Sequence, residues 1–271
     1  MSAAFSQLPH HLLQALQNLM LMALLFVPLE WVFAQRSHPL LRKQIGQDLL
    51  FFLLNSILPP LLLAAALACL VAVVKPLYAL GIFAWAGYLP LPIRFGLAII
   101  LGDIGGYWGH RWCHELPWLW HFHRIHHQAE AIDWLVTNRA HPLDMVFLKF
   151  CGIALIYLSG LPQGSLGQGT ALMSIYVLIG GLWSYFVHAN LSWRFGILER
   201  WLASPAFHHW HHSNDNIRCI DKNYAALFPW IDQLFGTLHL PRRRWPRSYG
   251  ENLALITVAP IPVEPSAILG K

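Results

Sequence analysis

The chain has 271 residues, of which 56% are hydrophobic and only 11% charged, where soluble domains carry about a quarter charged residues. That imbalance excludes an ordinary water-soluble globule and describes a polytopic, all-α membrane protein. The formal net charge of +5 sits in a few short patches, which bear on membrane orientation, and no nucleic-acid-binding pattern accompanies them.

In chain order, the N-terminal MSAAFSQLPHH lacks the basic region of a cleavable signal peptide, so the first apolar run, 12–34, reads as a retained span. A bilayer-crossing helix needs about 20 mostly apolar residues. Runs 49–74, 143–161 and 171–186, with a stretch starting near Ile93, supply the rest of an expected four to five transmembrane helices. Pro59-Pro60 predicts a kink in the second, and Lys75-Pro76 its end. The uncharged GLPQGSLGQGT predicts a hairpin between the last two. On the third helix Asp103, Tyr107, His110 and His114 share one stripe. Gly102, Gly106 and Gly109 beside it predict close approach of another helix. An ionisable Asp103 inside an apolar span marks function by default. Residues 115–144 turn polar and aromatic, with interfacial Trp118, Trp120 and Trp134. From 188 onward the chain reads as largely extramembrane, with the basic PRRRWPR and a proline-containing tail. One domain, 1–271, is expected, with 93–240 carrying the histidine motifs.

Lysine and arginine placement sets orientation. Arg36, Arg42 and Lys43 fall on one side with Arg111, Arg124, Arg139 and the C-terminal arginines, while the opposite connection offers only Lys75 and Arg94. The histidine motifs are therefore expected at the cytoplasmic face.

Those motifs are HRWCH (His110, His114), HRIHH (His123, His126, His127) and HHWHH (His208, His211, His212). Residues three and four apart share a helix face, so each motif converges its rings. His141 in NRAHPLD and His188 in FVHAN are candidates to complete the ligand set. One ion needs about four ligands, so eight to ten histidines suit two. His10, His11, His38 and His239 read as interfacial or hydrogen-bonded residues, and His121 and His209 lie off the ligand faces. Cys69, Cys113, Cys151 and Cys219 form no CxxC pair, which disfavours a disulfide framework, iron–sulfur clusters and structural zinc. Imidazole suits iron, copper and zinc alike. Asp103, Asp133, Asp221 and Asn223 are the candidates to hold the rings from behind.

HRWCH, HRIHH, NRAHPLD, FVHAN, SPAFHHWHH and DKNYAALFPWIDQLFGT, in this order over 103–237, resemble the fatty acid hydroxylase / sterol desaturase superfamily. The resemblance implies a membrane-embedded helical fold, a histidine-ligated pair of iron ions and O2 as oxidant. The substrate it implies is lipid-like: sterol, fatty acyl or related, hydroxylated or desaturated. By position it implies metal binding by the eight motif histidines, and by His188 and His141. Ala225 departs from the usual glycine after NY, and Ile231 from the tryptophan before Asp232. With no flavin, nicotinamide or haem-attachment motif, electrons are expected from a separate ferredoxin- or cytochrome-like protein. Arg242, Arg243, Arg244 and Arg247 could dock that donor or hold anionic lipid headgroups. Alternatives are a zinc-dependent membrane lipid hydrolase, or a metal transport or storage protein. Transport fits less well, because transporters place ligands near the bilayer midplane. A bis-histidine haem protein would need isolated facing histidines.

Overall fold

The computed structural model describes residues 2–37, 39–163, 166–242 and 244–251. His38, Arg243, part of the GLPQGSLGQGT connection and the tail from 252 onward lie outside the described residues. Among the described residues eight α-helices follow in order: α1 Ser2–Phe33, α2 Ile45–Ala79, α3 Leu91–Glu115, α4 Pro117–His127, α5 Pro142–Leu158, α6 Leu166–His188, α7 Pro205–His211 and α8 Pro229–Leu234. Among the described residues no strand forms, only isolated bridges between Ala34 and Leu191 and between Ser213 and Tyr249.

Leu8–Phe33, Ile45–Ala79 and Gly167–His188 are long and apolar enough to cross a membrane. The other two helices expected to span are different in kind. α3 is diluted by Asp103, its glycines and its histidines, and α5 has only 17 residues. They pair at the centre: α5 packs on α2 and α3, α3 also packs on α6, and α1 packs on α2. α2 runs unbroken through Pro59-Pro60 and past Lys75-Pro76 to Ala79.

Glycine lets α3 and α5 meet backbone to backbone. A Cβ on Gly105 would collide with the Cys151 carbonyl, one on Gly109 would fall 2.9 Å from Cys151 Cβ, and one on Gly152 would fall 2.8 Å from the Gly102 carbonyl. Gly106, expected to share this role, has open space at its Cβ position.

Two prolines shape the histidine-bearing end. Pro117 forces Leu116 out of the α region; its backbone is extended (φ −102°, ψ 116°), so α4 starts afresh at an angle to α3. Pro205 opens α7 behind the N-cap Ser204, whose hydroxyl accepts from the Phe207 amide at 3.3 Å. α1, α2 and the 3-10 turn Trp134–Asn138 close over this end through Met22, Phe26, Phe52, Trp134 and Leu135. A buried ion network locks the closure. Arg42 pairs with Asp133 at 2.6 Å and with Asp48 at 2.5 Å, and Arg139 pairs with Asp48.

The segment after α6 doubles back onto the bundle. Phe195 stacks on Phe186 of α6 at 6.0 Å, and Trp193 meets Phe33 of α1 at 5.3 Å. The amides of Ala226, Leu227 and Phe228 bond Asp103, half-way along α3.

Candidate metal centre

Helical spacing, the break at Pro117 and the end of α6 bring nine histidines into two adjoining sets. His110, His114, His123, His127 and His211 form one, and His126, His188, His208 and His212 the other; within each, one nitrogen per ring lies within 4.8 Å of all the rest. α3 supplies an i, i+4 pair. α4 splits its triplet between the two sets, as do His208 and His211 of α7 with the C-cap His212, and His188 is the last residue of α6.

The protonation pattern of these rings calls for cations. His110, His126, His188 and His211 each point Nδ1 at a backbone carbonyl: Tyr224 at 2.8 Å, Arg139 at 3.1 Å, Ser184 at 2.7 Å and Lys222 at 2.8 Å. A carbonyl only accepts, so in each ring Nδ1 carries the proton and Nε2 the lone pair. Yet Nε2 of His126 faces Nε2 of His188 at 3.1 Å, two lone pairs with no proton between them. The other Nε2 pairs repeat the spacing: His208 to His188 2.9 Å, His212 to His208 3.2 Å and to His188 3.3 Å, and His123 to His110 and to His127 3.2 Å each. Nitrogens about 2.1 Å from one shared ion lie about 3.0 Å apart at a right angle and about 3.4 Å at the tetrahedral angle. Nε2 of His114 and of His211 are buried without any partner. Burial, reinforced by repulsion between rings, pushes His126, His127, His208, His211 and His212 well below the ordinary imidazole range. Those five rings are neutral and ligand-ready at pH 7, and two sets of converging imidazole nitrogens fit two metal ions.

What holds the rings is mostly outside the sequence expectation. Asp144, in the first turn of α5, accepts the His123 Nδ1 proton with both oxygens at 3.1 Å and touches Cys113 Sγ at 3.5 Å. The rule applied to Asp103, an acid inside an apolar run, would have found it. Asp221 does face a ligand, His114 Nδ1 at 3.0 Å. Asn223 instead binds backbone, donating to Phe207 O and His239 O. Both residues are left-handed (φ 56° and 60°), a region that Asp and Asn tolerate better than other side-chain-bearing residues. That twist turns the Asp221 carboxylate and the Lys222 and Tyr224 carbonyls toward three different rings.

Asp103 acts on the same loop and not on a ring: its oxygens accept from Ala226 at 2.9 Å, Leu227 at 3.1 Å and Phe228 at 2.7 Å. Asp232 accepts from the Tyr224 and Ala225 amides and from Thr237 Oγ1. Asp133 belongs to the Arg42 network. His141 is in neither set; it caps α5, accepting from the Leu143 amide at 3.2 Å, and packs on Phe122. His209 is buried between the His188 and Ala189 carbonyls and the Tyr249 hydroxyl, and pins the turn that follows His188. Its imidazole is pushed down to about 4 by burial. A cleft lined by His114, Trp120, His127, His211, His212, Asp221 and Glu251 leads outward from the centre.

A helical membrane bundle that carries two polyhistidine sets at one end, each able to hold a metal ion, defines the class. Residues 95–237, more than half of the chain, match the fatty acid hydroxylase family, and the chain belongs to it. It is 30% identical over 162 residues to the ornithine lipid hydroxylase OlsE of Rhizobium tropici, covering 59% of this chain and 46% of that one. It is 33% identical over 141 residues to the alkylglycerol monooxygenase of Danio rerio, covering 52% and 29%. It is 26% identical over 145 residues to a putative methylsterol monooxygenase of Dictyostelium discoideum, covering 52% and 49%. The chain thus spans less than half the length of these relatives. No solved structure matches it.

Proposed function

We propose that the protein is an integral-membrane di-iron oxygenase that hydroxylates or desaturates a lipid-like substrate with O2 and electrons from a separate donor. The observation that carries this reading is the facing of Nε2 lone pairs in two adjoining sets. His110, His114, His123, His127 and His211 would hold one ion, and His126, His188, His208 and His212 the other. Bound there, the iron pair would supply the O2 and C–H chemistry, which protein side chains lack. The chain's own residues do the positioning. Asp144 and Asp221 take the Nδ1 protons of His123 and His114, which fixes those rings and raises their basicity. The Tyr224, Lys222, Arg139 and Ser184 carbonyls fix four more. His141 is left to cap its helix.

Hydroxylases and monooxygenases of lipids among the relatives support iron over zinc, and the apolar helices support a substrate entering from the bilayer. In hydroxylation one oxygen atom enters a C–H bond and the other leaves as water, which consumes two electrons and two protons. A ferredoxin- or cytochrome-like protein is the proposed source of electrons. Arginine and lysine placement supports a cytoplasmic centre, and reporter fusions after Lys43 and at Glu130 should both read cytoplasm. The deciding experiment is turnover of a lipid extract by the iron-loaded protein with a reductant, followed by mass spectrometry under 18O2. Label in the product supports hydroxylation, and O2-dependent loss of two hydrogens supports desaturation. Lipid cleavage without O2 consumption, in protein that retains zinc, would replace this reading with the hydrolase.

A further inference from the structure

We infer that the segments 193–201 and 226–242 form a ledge seated in an anionic phospholipid headgroup layer, its apolar side chains among the acyl chains and its arginines on the phosphates. Three observations set its depth. Phe195 stacks on Phe186, inside the last turns of α6. Leu238 and Leu240, like Trp183 and Phe186 of that helix, pack against the buried cluster of Val187, Ala203 and Phe207. Phe235 stacks on Tyr107 at 5.2 Å and meets Trp108 at 5.0 Å on α3. Both segments therefore run back against the last turns of α6, a helix long and apolar enough to cross a membrane, and against the second half of α3.

What they turn outward is apolar. Ile197 is 81% exposed and Trp201 64%, with Leu198 and Leu234 alongside; α8 packs on the 3-10 turn Gly196–Arg200 that carries Ile197 and Leu198. An apolar patch this exposed on a water-facing cap would be an aggregation hazard, whereas among acyl chains it is covered. The turn is rigid. Gly196 takes a left-handed φ of 60°, and buried Glu199 accepts from Arg194 at 3.0 Å, from the Phe195 amide at 3.3 Å and from Ser204 Oγ at 2.7 Å. Ser204 is the N-cap of α7, so the ledge is tied to the helix that carries His208 and His211 and is capped by His212.

Charge identifies the lipid. Arg194 ties the turn to the Pro241 and Arg244 carbonyls at 3.1 Å each, and Arg200 on that turn and Arg242 and Arg244 on the segment tied to it are all exposed. Tryptophan and apolar residues flanked by arginine match the boundary of an anionic leaflet. A docking site for a soluble acidic protein would need the arginines but not Ile197 and Trp201.

The test uses the full chain with Cys69→Ser, reconstituted in vesicles of phosphatidylcholine with phosphatidylglycerol and carrying a nitroxide at Ile197→Cys, at Trp201→Cys or, as control, at Arg218→Cys. Metal content equal to the parent's certifies each fold. Collisions with oxygen should exceed those with a water-soluble nickel chelate at 197 and 201, and the reverse should hold at 218. Equal chelate access at all three positions overturns the ledge. In the second arm, selectivity of the protein boundary for spin-labelled phosphatidylglycerol over phosphatidylcholine should fall about five-fold for each arginine replaced among Arg200→Gln, Arg242→Gln and Arg244→Gln. Unchanged selectivity overturns the headgroup role. So does an acidic ferredoxin that shields positions 197 and 201 from the chelate in vesicles of phosphatidylcholine alone, which would make the face a protein-docking site.

Discussion

The two histidine sets use one residue type at one spacing, but they are supported differently. In the set of His126, His188, His208 and His212, the ring protons of His126 and His188 go to backbone carbonyls. One of those carbonyls belongs to Arg139, itself clamped to buried Asp48. In the set of His110, His114, His123, His127 and His211, two rings are backed by the carboxylates of Asp144 and Asp221, and three rings line the cleft. A carbonyl mainly orients a ring. A carboxylate also draws on its proton and makes the opposite nitrogen a stronger donor. One set is built to be held still, the other to balance more positive charge beside water.

The comparison can be broken most forcefully at the ligands. His126→Ala and His110→Ala should each abolish turnover, and elemental analysis should show one ion retained in each. Loss of both ions from either variant would mean a single coupled site. Next in size is Asp48→Asn, which leaves Arg42 and Arg139 without their shared buried partner. Unfolding should cost about 3–5 kcal/mol less, read as a lowered melting temperature, with metal lost first from the four-histidine set. Asp144→Asn should weaken metal retention or turnover by roughly 10–100-fold. Asp221→Asn should cost only a few-fold, because that carboxylate is 57% exposed and solvent screens it. Equal effects at the two positions would deny the difference in burial any role. Smallest is His141→Ala, which should remove a helix cap worth about 1 kcal/mol and leave metal content at the parent's value. Loss of an ion there would restore His141 to the ligand set.

The spacing of the histidines made the centre legible, because i, i+3 and i, i+4 are facts of helix geometry. The apolar runs made the membrane bundle legible for the same reason. The supports were not. Tyr224, Lys222, Arg139 and Ser184 act through carbonyls that every residue owns, so no side-chain pattern announces them. Asp103 shares a stripe with His110, yet the chain returns to satisfy it with three amides, and that contact spans more than 120 positions. His141 did carry its signal: a residue before proline, three ahead of an acid, is an N-cap pattern. The return of 193–201 onto the last turns of α6 was hidden because it rests on contacts, such as Phe195 on Phe186, that no periodicity marks.

The use of carbonyls behind four of the nine rings has an evolutionary consequence. A carbonyl survives nearly any substitution at its own position, so Lys222 and Ser184 are free to drift while the hydrogen bond they make persists. Positions that orient ligands would then look variable in an alignment, and those that bend the chain, such as Asp221 and Asn223, would look constrained. Saturation mutagenesis of 221–224, scored by metal retention, would expose that inversion directly.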